Sequence, residues 1–499
     1  MSSSLVFPRI PSLKTADDFR RHVASLGLDI PCEDTILPSP ESPLAQPVAG
    51  IPVNGKIIGN RWAIQPMEGW DATTTGGVTD EVRRRWRRFG ESGAKLIFGG
   101  EAMAVTPEAR ANPNQLIINE KNKSGLAALR ELLISAHREY HGAADDLVVG
   151  FQLTHSGRFC KPHDHHRLEP RVAYRHPLLD PKFGVKSDLQ VMSDGEVEQL
   201  VDKYAVAARI AWDVGADFVD IKHCHGYLLH EFLSAFTRPG RYGGSFENRT
   251  RPLREIVLAI RASGNKIDIA VRLSAFDSVP FRPDLALSKP GRPGPGVPED
   301  FSRCLPYHYA FGVNPANPLE ADLGESYRFM DLCAQLGVRI LNLSAGSPYY
   351  NPHIQRPAAY PPSDAYQAPE DPLAGVARQL AAVRALKAKA PPGITLVGSA
   401  YTYLQEFLPL VAQRVVRDGW ADMVGIGRMV LSYPGMIADT LQGGVLNPRL
   451  ICRTFSDCTT APRNGIVSGC YPLDKHYAAR PEARLLKEIK KGGPTSEGS

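Results

Sequence analysis

Short apolar runs alternate with longer amphipathic segments along most of the chain, and this alternation constrains the fold more than any other feature. The runs are rich in Val and Ile, as expected for parallel strands buried on both faces. Eight runs occur, at 61–66, 95–100, 147–153, 217–222, 267–273, 338–344, 394–399 and 421–427. This pattern predicts a (β/α)8 TIM barrel. A doubly wound open sheet is the alternative, but no G-x-G-x-x-G motif opens the first unit.

The segment 193–216 is the clearest of the predicted helices between these runs. Ser193 and Glu196 have the spacing of a capping box, in which each side chain satisfies a backbone amide at the start of a helix. Apolar residues then recur at helical spacing, and Gly215 is a suitable C-terminal stop.

The barrel is predicted to occupy residues 51–477. Residues 1–50 are rich in Pro and Ser and are expected to form an extension that wraps it, while 478–499 should be a charged helix and a disordered tail. A Pro-rich connection at 277–320 follows the fifth run. Because a connection this long inside a compact domain is usually functional, it is interpreted as a lid on the catalytic face.

Composition argues against several functional classes. The chain is 43% hydrophobic and 22% charged, an ordinary globular balance, and a formal charge of +5 over 499 residues does not indicate nucleic-acid binding. No apolar run reaches the ~18 residues of a membrane span, and the start lacks the pattern of a secretory signal. Eight scattered cysteines without a secretory signal predict reduced thiols in a cytoplasmic protein. The expected partner is a small-molecule substrate. A homo-oligomer is compatible with this composition.

The stretch DIKHCHGYLLHEF, residues 220–232, contains three histidines, a cysteine and a lysine. It ends the fourth predicted strand, where TIM barrels place catalytic residues. His225 and His230 are five apart, so they do not share a helix face as an i, i+4 zinc pair would, and no metal site is predicted. The residues alone leave two interpretations, polar groups that merely close a strand or groups that carry chemistry.

Two motifs around this stretch, HGYLLHEFLS and YGGSFENRTRPL, resemble the old yellow enzyme family, the flavin-dependent ene-reductases. Further motifs follow in the family's order: NRWAIQPM, FGGEAMAV, FQLTHSGR, VRLSA, GSAYT and ADMVGIGRM. They span nearly the whole barrel, whereas the N-terminal extension and the proposed lid lie outside the resemblance.

The resemblance implies FMN at the top of the barrel and NADH or NADPH as the reductant. An Arg and glycine-rich backbone would bind the phosphate, and a fixed cation would stabilise the reduced pyrimidine ring. The positions that match the flavin contacts of the family are Pro66, Met67, Glu68, Ala102, Gln152, Arg272, Gly398, Ser399, Gly427 and Arg428.

The same resemblance implies catalytic roles within 220–232. Lys222 and His225 match the pair beneath the substrate carbonyl, and Tyr227 matches the proton donor. The implied reaction reduces FMN with NAD(P)H and then transfers hydride to the β-carbon of an activated, α,β-unsaturated alkene. Lys222 and His225, which together form a clamp on the substrate oxygen, stabilise the enolate-like charge there, while Tyr227 protonates the α-carbon.

Departures from the family pattern leave the substrate and the direction of the reaction open. Lys222 replaces the usual His, Glu68 stands where Cys or Thr is common, and the segment between FLS and YGGS is shorter than usual. We hypothesise a preference for acidic or strongly enolising substrates, with Glu68 protonated or paired with a cation such as Lys222. The alternatives are a flavin dehydrogenase or demethylase acting on a C–N or C–H bond, a Schiff-base aldolase using Lys222, and a degenerate barrel that only binds.

Three C-terminal cysteines are interpreted separately. Larger family members related to dienoyl-CoA reductase carry four cysteines for a 4Fe–4S cluster just after the barrel. Here Cys452, Cys458 and Cys470 are present, but Phe455 stands at the position of the second ligand. Because four thiolates are the normal complement, the sequence predicts that the cluster is absent.

Overall fold

A closed parallel barrel forms the centre of the computed structural model, which describes residues 7–50 and 52–491. The predicted (β/α)8 fold is therefore confirmed. The barrel strands, β1 to β8 in chain order, are Trp62–Ile64, Leu96–Ile97, Val148–Thr154, Phe218–Ile221, Asp268–Ser274, Val338–Ser344, Thr395–Gly398 and Met423–Ile426. Each predicted apolar run overlaps one of these strands.

Closure of the barrel is visible at its first strand. β1 pairs in parallel with β2 through Ala63 and Leu96, and with β8 through Ala63 and Gly425. These two pairings exclude the open sheet. Because all eight strands are parallel, their carboxyl ends meet at one rim. An additional short strand, Ala102–Ala104, pairs with β3 and aligns Ala102 with Gln152.

The helices that follow the strands cover the outside of the barrel. They are α1 to α8, at Asp80–Gly90, Lys123–His141, Asp194–Asp213, Arg251–Ala262, Gly324–Gln335, Pro372–Lys387, Leu408–Arg417 and Met436–Leu441. In α3 the predicted capping box is formed, since the Ser193 hydroxyl accepts from the Glu196 amide and the Glu196 carboxylate accepts from the Ser193 amide. Gly215 lies just beyond the helix with a φ of +84°.

Shorter elements fill the connections. The remaining α-helices are Ala16–Ser25, Leu179–Lys182, Leu228–Leu233, Phe246–Arg249, Pro352–Gln355, Arg428–Ser432, Asp457–Arg463, Lys475–Ala478 and Glu482–Lys490. The 3-10 helices are Ile10–Ser12, Pro43–Ala45, Pro107–Ala109, Gly157–Phe159, Asp188–Gln190, Ser302–Cys304 and Tyr401–Phe407. None of the helices in the described ranges is both long and apolar enough to span a membrane.

The amino-terminal end of the barrel is closed by a plug of apolar side chains. Val48, Val53 and Ile58 pack in one cluster with inward-facing strand residues. Lys56 reinforces this end, because its Nζ lies 3.0 Å from Oδ1 of the buried Asp217. Ligands therefore have access from the opposite rim, where the strands end.

The N-terminal segment packs against the outside of the barrel. Helix Ala16–Ser25 places the fully buried Phe19 on Phe407, with ring centroids 4.6 Å apart. Further along, the amide of Glu33 donates to the carbonyl of Leu410, and Arg417 pairs with the Glu33 carboxylate. These contacts attach the segment to the barrel, and the extension over residues 1–50 stays a prediction.

The connection between β5 and α5 is structured. It contains two small antiparallel hairpins, Phe281–Pro283 with Gly296–Pro298 and Val313–Asn314 with Asn317–Ala321. The amide of Phe281 donates to the carbonyl of Tyr350, which ties the insertion to the loop after β6. None of residues 277–320, all of which are described, lines the cavity that contains Lys222 and Tyr227. A role as a lid remains a prediction.

The chain after β8 returns across the rim. Helix Asp457–Arg463 contacts the loop after β6, where the Arg463 guanidinium donates to the carbonyl of Pro348 at 3.2 Å. Asp474 then pairs with Arg84 of α1 at 2.9 Å. The charged helix expected near the C-terminus corresponds to Glu482–Lys490, and the expected disordered tail falls in 492–499, outside the described residues.

The packing of Phe19 predicts a measurable contribution to stability. Phe19→Ala should lower the free energy of unfolding by about 3–5 kcal/mol, because it removes a fully buried ring and leaves a cavity. Leu26→Ala is the matched control, since Leu26 follows the same helix but is 38% exposed, and a change within about 0.5 kcal/mol is expected there. If denaturant titrations show that Phe19→Ala lowers the free energy of unfolding no more than Leu26→Ala does, the N-terminal segment does not stabilise the barrel.

Candidate active site

A cavity of about 220 Å³ opens at the rim where the barrel strands end. Residues at or just beyond the ends of seven strands contribute to its wall, namely Gln65, Gln152, Lys222, Arg272, Ser344, Ser399 and Gly427. Such convergence is the usual position of active sites in TIM barrels. All the site residues predicted from sequence line this cavity except Ala102 and Gly398.

The two exceptions lie behind the cavity wall. Ala102 is buried on the short strand beside Gln152, and its carbonyl accepts from Nε2 of Gln115 at 3.0 Å. Gly398 ends β7, and its carbonyl accepts from Nε2 of Gln65 at 3.4 Å. Both positions therefore support residues of the wall.

A tight turn after β4 brings Lys222, His225 and Tyr227 to the cavity together. His225 has a φ of +67° and Gly226 a φ of +79°, so the chain reverses through two left-handed residues. A positive φ is uncommon for a residue other than glycine, and such strain is concentrated at functional sites. The amide of His225 donates to Oγ of Ser274 at 2.9 Å, which holds the turn against β5.

His225 is a neutral imidazole at physiological pH. Burial lowers its pKa well below the ordinary value, and the positive charges of Arg272 and Lys222 lower it further. Its Nε2 lies 3.0 Å from Oγ of Ser344 and 3.2 Å from Nε2 of Gln355. With the Ser344 hydroxyl donating to it, Nε2 is the acceptor and the ring proton is on Nδ1.

Lys222 is a buried amine without a close counter-charge. Its Nζ lies 3.5 Å from the centre of the Tyr227 ring, which is a cation–π contact. Burial lowers the pKa of Lys222, and the nearby Glu68 opposes that shift. No carboxylate oxygen of the described residues lies within 4.0 Å of Nζ. The predicted pairing of Lys222 with Glu68 is thus an interaction through space without direct contact.

Glu68 is enclosed beside Lys222. Burial raises its pKa, while Lys222 opposes the shift. Oε1 of Glu68 is buried and has no hydrogen-bond partner among the described residues. The Trp70 indole is near enough to lower the carboxyl pKa but does not reach hydrogen-bonding geometry. Since an unpaired buried carboxylate is unfavourable, this environment favours the protonated form.

Tyr227 keeps its proton. Burial raises its pKa well above the ordinary value, and Tyr349 and Glu68 raise it further. The two phenol oxygens of Tyr227 and Tyr349 lie 2.9 Å apart. Tyr349 comes from the loop after β6 and stacks on Phe159 with ring centroids 3.9 Å apart. A phenol positioned by a second tyrosine is a suitable general acid.

Gln152, Asp220 and Arg272 form a layer across β3, β4 and β5. The Asp220 carboxylate accepts from Nε2 of Gln152 and from the Arg272 amide at 2.7 Å. Burial raises the pKa of Asp220 to about 7. The Arg272 guanidinium forms no ion pair within 4.0 Å among the described residues, and its buried Nε has no partner. A buried cation in this state favours an anionic or electron-rich ligand.

Arg356 and Arg428 form a second centre of positive charge on the cavity wall. Burial and the charge of Arg428 lower the pKa of Arg356 to about 9. Arg428 donates from Nη2 to the carbonyl of Pro357 at 2.8 Å, whereas its buried Nη1 has no partner. Neither guanidinium has a carboxylate oxygen within 4.0 Å in the described part of the chain. Two neighbouring half-buried guanidiniums without a counter-charge are suited to bind an anion.

Sequence reasoning missed two segments of the wall. The loop after β6 contributes Tyr349, Gln355 and Arg356, and the C-terminal segment contributes Thr459 and Arg463. The length of the β6–α6 connection was an available signal, because long loops on this rim are usually functional. The C-terminal segment has no comparable signal, since it reaches the site only through the fold.

The C-terminal cysteines do not provide a complete cluster site. Cys458 lines the cavity, and Cys452 is buried. The Phe455 ring stacks on Tyr360 with centroids 5.4 Å apart. Within 7–50 and 52–491, no group of three or more His, Cys, Asp or Glu side chains is arranged to hold a metal ion. The residues present therefore do not fit a four-thiolate cluster.

Residues 49–286 match the model of the NADH:flavin oxidoreductase / NADH oxidase family. The match covers slightly less than half of the chain. Two similar curated proteins are NADPH dehydrogenases. The protein from Geobacillus sp. (strain WCH70) is 30% identical over 234 residues, which are 46% of this chain and 63% of the relative. The protein from Clostridium acetobutylicum is 30% identical over 232 residues, which are 45% of this chain and 62% of the relative. Both alignments cover less than two thirds of the relative's length.

Solved structures of the family's fold are similar over most of the chain. An old yellow enzyme homologue from Zymomonas mobilis has a TM-score of 0.53 and 19% identity, over 81% of this chain and 94% of that one. Histamine dehydrogenase from Rhizobium sp. 4-9 has a TM-score of 0.59 and 19% identity, over 89% of this chain and 53% of that one. A complex of 2-naphthoyl-CoA reductase with 2-naphthoyl-CoA has a TM-score of 0.61 and 18% identity, over 89% and 57%. At these identities the likeness shows the shared fold.

The cysteine geometry predicts a protein without an iron–sulfur cluster. After anaerobic purification, iron and acid-labile sulfide should be at background, because Phe455 cannot ligate iron. Phe455→Cys is the matched variant, since it restores the fourth thiol at the expected position and should allow iron binding if the alignment of the cysteines is right. About four irons and four sulfides per wild-type chain would contradict the prediction.

Proposed function

We propose that this chain is an FMN-dependent NAD(P)H oxidoreductase that reduces an activated, α,β-unsaturated alkene. The observation that carries the proposal is a group of cations on one cavity, none of which has a carboxylate within 4.0 Å among the described residues: the buried Lys222 and Arg272 and the half-buried Arg356 and Arg428. FMN would supply negative charge to these cations at two places, through its phosphate and through the ring that becomes electron-rich on reduction. The family match supports the same conclusion.

The residues present fit FMN. Arg428 and Arg356 would bind the phosphate, helped by Ser399 and by the backbone at Gly427. Glycine is suited to position 427, because a Cβ there would lie 2.9 Å from Sδ of Met67. Gly398, next to Ser399, belongs to the same phosphate site. Gln152 and Arg272 are assigned to the pyrimidine edge of the ring. The contacts assigned to the rest of the isoalloxazine are Pro66, Met67, Glu68 and Ala102.

When bound, FMN would supply the hydride-transfer chemistry between NADH or NADPH and the alkene β-carbon. The protein must then stabilise the substrate oxygen as negative charge develops. Lys222 brings an ammonium, and His225 brings its Nδ1 proton, which has no partner among the described residues. Because the clamp is buried, these donors act in a low-dielectric site where they are strong.

Tyr227 is the proposed donor of the proton that the α-carbon receives. Its raised pKa keeps the phenol protonated until the carbanion-like centre forms. The ammonium of Lys222 against the ring stabilises the phenolate left behind. Lys222 therefore links the charge on the substrate oxygen to the proton transfer.

Lys222 and Glu68 are proposed to set the substrate preference. An ammonium stabilises a developing enolate more strongly than the neutral imidazole usual at this position, and it attracts substrates with an acidic group. A protonated Glu68 avoids placing a second negative charge beside the flavin. The pair thus favours acidic or strongly enolising alkenes.

A Schiff-base aldolase using Lys222 accounts for less of the structure. The lowered pKa of Lys222 suits such chemistry. Aldolase chemistry does not account for the unpaired guanidiniums of Arg272, Arg356 and Arg428, whereas a bound flavin would contact all three.

The phosphate assignment predicts that FMN is distinguished from riboflavin. Arg356→Gln and Arg428→Gln should each weaken FMN binding by roughly 10- to 100-fold, because each removes charge-assisted hydrogen bonds. Riboflavin affinity should be unchanged, since riboflavin has no phosphate. Titration of the flavin-free protein with both ligands gives the affinities, and Arg449→Gln, at an exposed arginine, is the control. Wild-type protein that binds riboflavin as tightly as FMN would contradict the assignment.

The role of Tyr227 predicts a change in only one half-reaction. Tyr227→Phe keeps the ring against Lys222 and removes the acid, so flavin oxidation by the alkene should slow by about 10²–10⁴-fold. Flavin reduction by NAD(P)H should continue at the wild-type rate, as measured by stopped-flow absorbance. If both half-reactions slow equally, Tyr227 has a structural role.

A further inference from the structure

A second cavity of about 270 Å³ adjoins the active-site cavity. We call it the outer cavity. The two cavities share Trp70, Pro348, Tyr349 and Arg463 as common wall. The two cavities therefore meet at these four residues.

Aromatic side chains form much of the outer cavity's wall. Phe159 stacks on Tyr349 at 3.9 Å and packs edge-on against Phe183 at 5.0 Å between ring centroids. Trp70 stands between the two cavities with a φ of +54°, a conformation that bulky residues rarely adopt. Strain of this kind persists where the surrounding structure holds a side chain in a required place. The wall is suited to a planar or apolar body.

The polar residues of the outer cavity leave positive charge uncompensated. Arg463 is already neutralised, because its Nη1 lies 2.9 Å from Oδ1 of Asp364. Lys161 is half-buried and donates to the carbonyl of His165 at 3.0 Å, while Lys182 is exposed at the mouth. Neither lysine has a carboxylate oxygen within 4.0 Å in the described ranges. His165 adds no negative charge, and burial lowers its pKa.

We propose that the outer cavity binds an anionic group carried by the molecule whose reactive end occupies the active-site cavity, with Lys161 and Lys182 as its partners. The inference rests on the proposed function, because it assigns the distal part of a reactant. A carboxylate or phosphate on the alkene and a phosphate of the nicotinamide nucleotide share this chemistry. Because the nucleotide takes part only in flavin reduction and the alkene only in flavin oxidation, measuring the two half-reactions shows which molecule carries the anionic group.

The experiment uses the flavin-loaded enzyme with Lys161→Gln, Lys182→Gln and the double variant. Flavin reduction is followed with NADPH and with the uncharged donor 1-benzyl-1,4-dihydronicotinamide. Flavin oxidation is followed with 4-(4-carboxyphenyl)but-3-en-2-one and with its methyl ester. Lys203→Gln, at an exposed lysine of α3, is the control.

In the double variant, the half-saturating concentration of NADPH, of the carboxylate enone or of both should rise about tenfold or more. The half-saturating concentration of the corresponding uncharged reactant should not change. An effect confined to NADPH assigns the outer cavity to the nucleotide, and an effect confined to the carboxylate assigns it to the alkene. Equal behaviour of charged and uncharged partners in both pairs overturns the inference. Failure of every donor to reduce the flavin would instead overturn the proposed function, and this inference with it.

Discussion

Buried guanidinium groups need hydrogen-bond acceptors or a counter-charge, and several arginines of this protein find them within the chain. Arg110 is buried and donates to four backbone carbonyls, and two other buried arginines pair with carboxylates. Arg158 contacts Glu231 at 2.6 Å and also pairs with Asp180, and Arg85 contacts Glu101 at 2.7 Å. Arg272, Arg356 and Arg428 have no such partner in the described part of the chain. Because an unpaired buried charge is strongly unfavourable, the exception is best explained by a ligand that supplies the missing charge.

Closure of the barrel is what turns scattered residues into one site. Parallel pairing places Gln152, Arg272 and Ser399 near the ends of β3, β5 and β7 on a common rim, although they are far apart in sequence. The turn after β4 then adds the clamp and the acid, with His225 held in a left-handed conformation by contacts to Ser274 and Ser344. The apolar plug at the opposite end leaves the rim as the place where chemistry can occur.

The sequence was sufficient for the features that repeat or that lie within one motif. The eight strands were predictable because buried parallel strands form short apolar runs, and the group around Lys222, His225 and Tyr227 was predictable because it lies within a few residues at the end of one strand. Tyr349, Arg356 and Arg463 were missed because they reach the cavity through tertiary contacts, such as that between Arg356 and Thr459, 103 residues apart. The proposed contact between Glu68 and Lys222 also depended on a distance that no pattern encodes.

The visible absorption spectrum of the purified protein, followed by anaerobic addition of NADH or NADPH, shows whether the rim of the barrel binds FMN that accepts electrons from a nicotinamide. We expect a flavin spectrum that bleaches on addition of the reductant, and release of FMN on denaturation. A colourless protein that neither regains a flavin spectrum with added FMN nor binds FMN by titration would contradict it. In that case the unpaired guanidiniums of the rim would belong to a different anionic ligand.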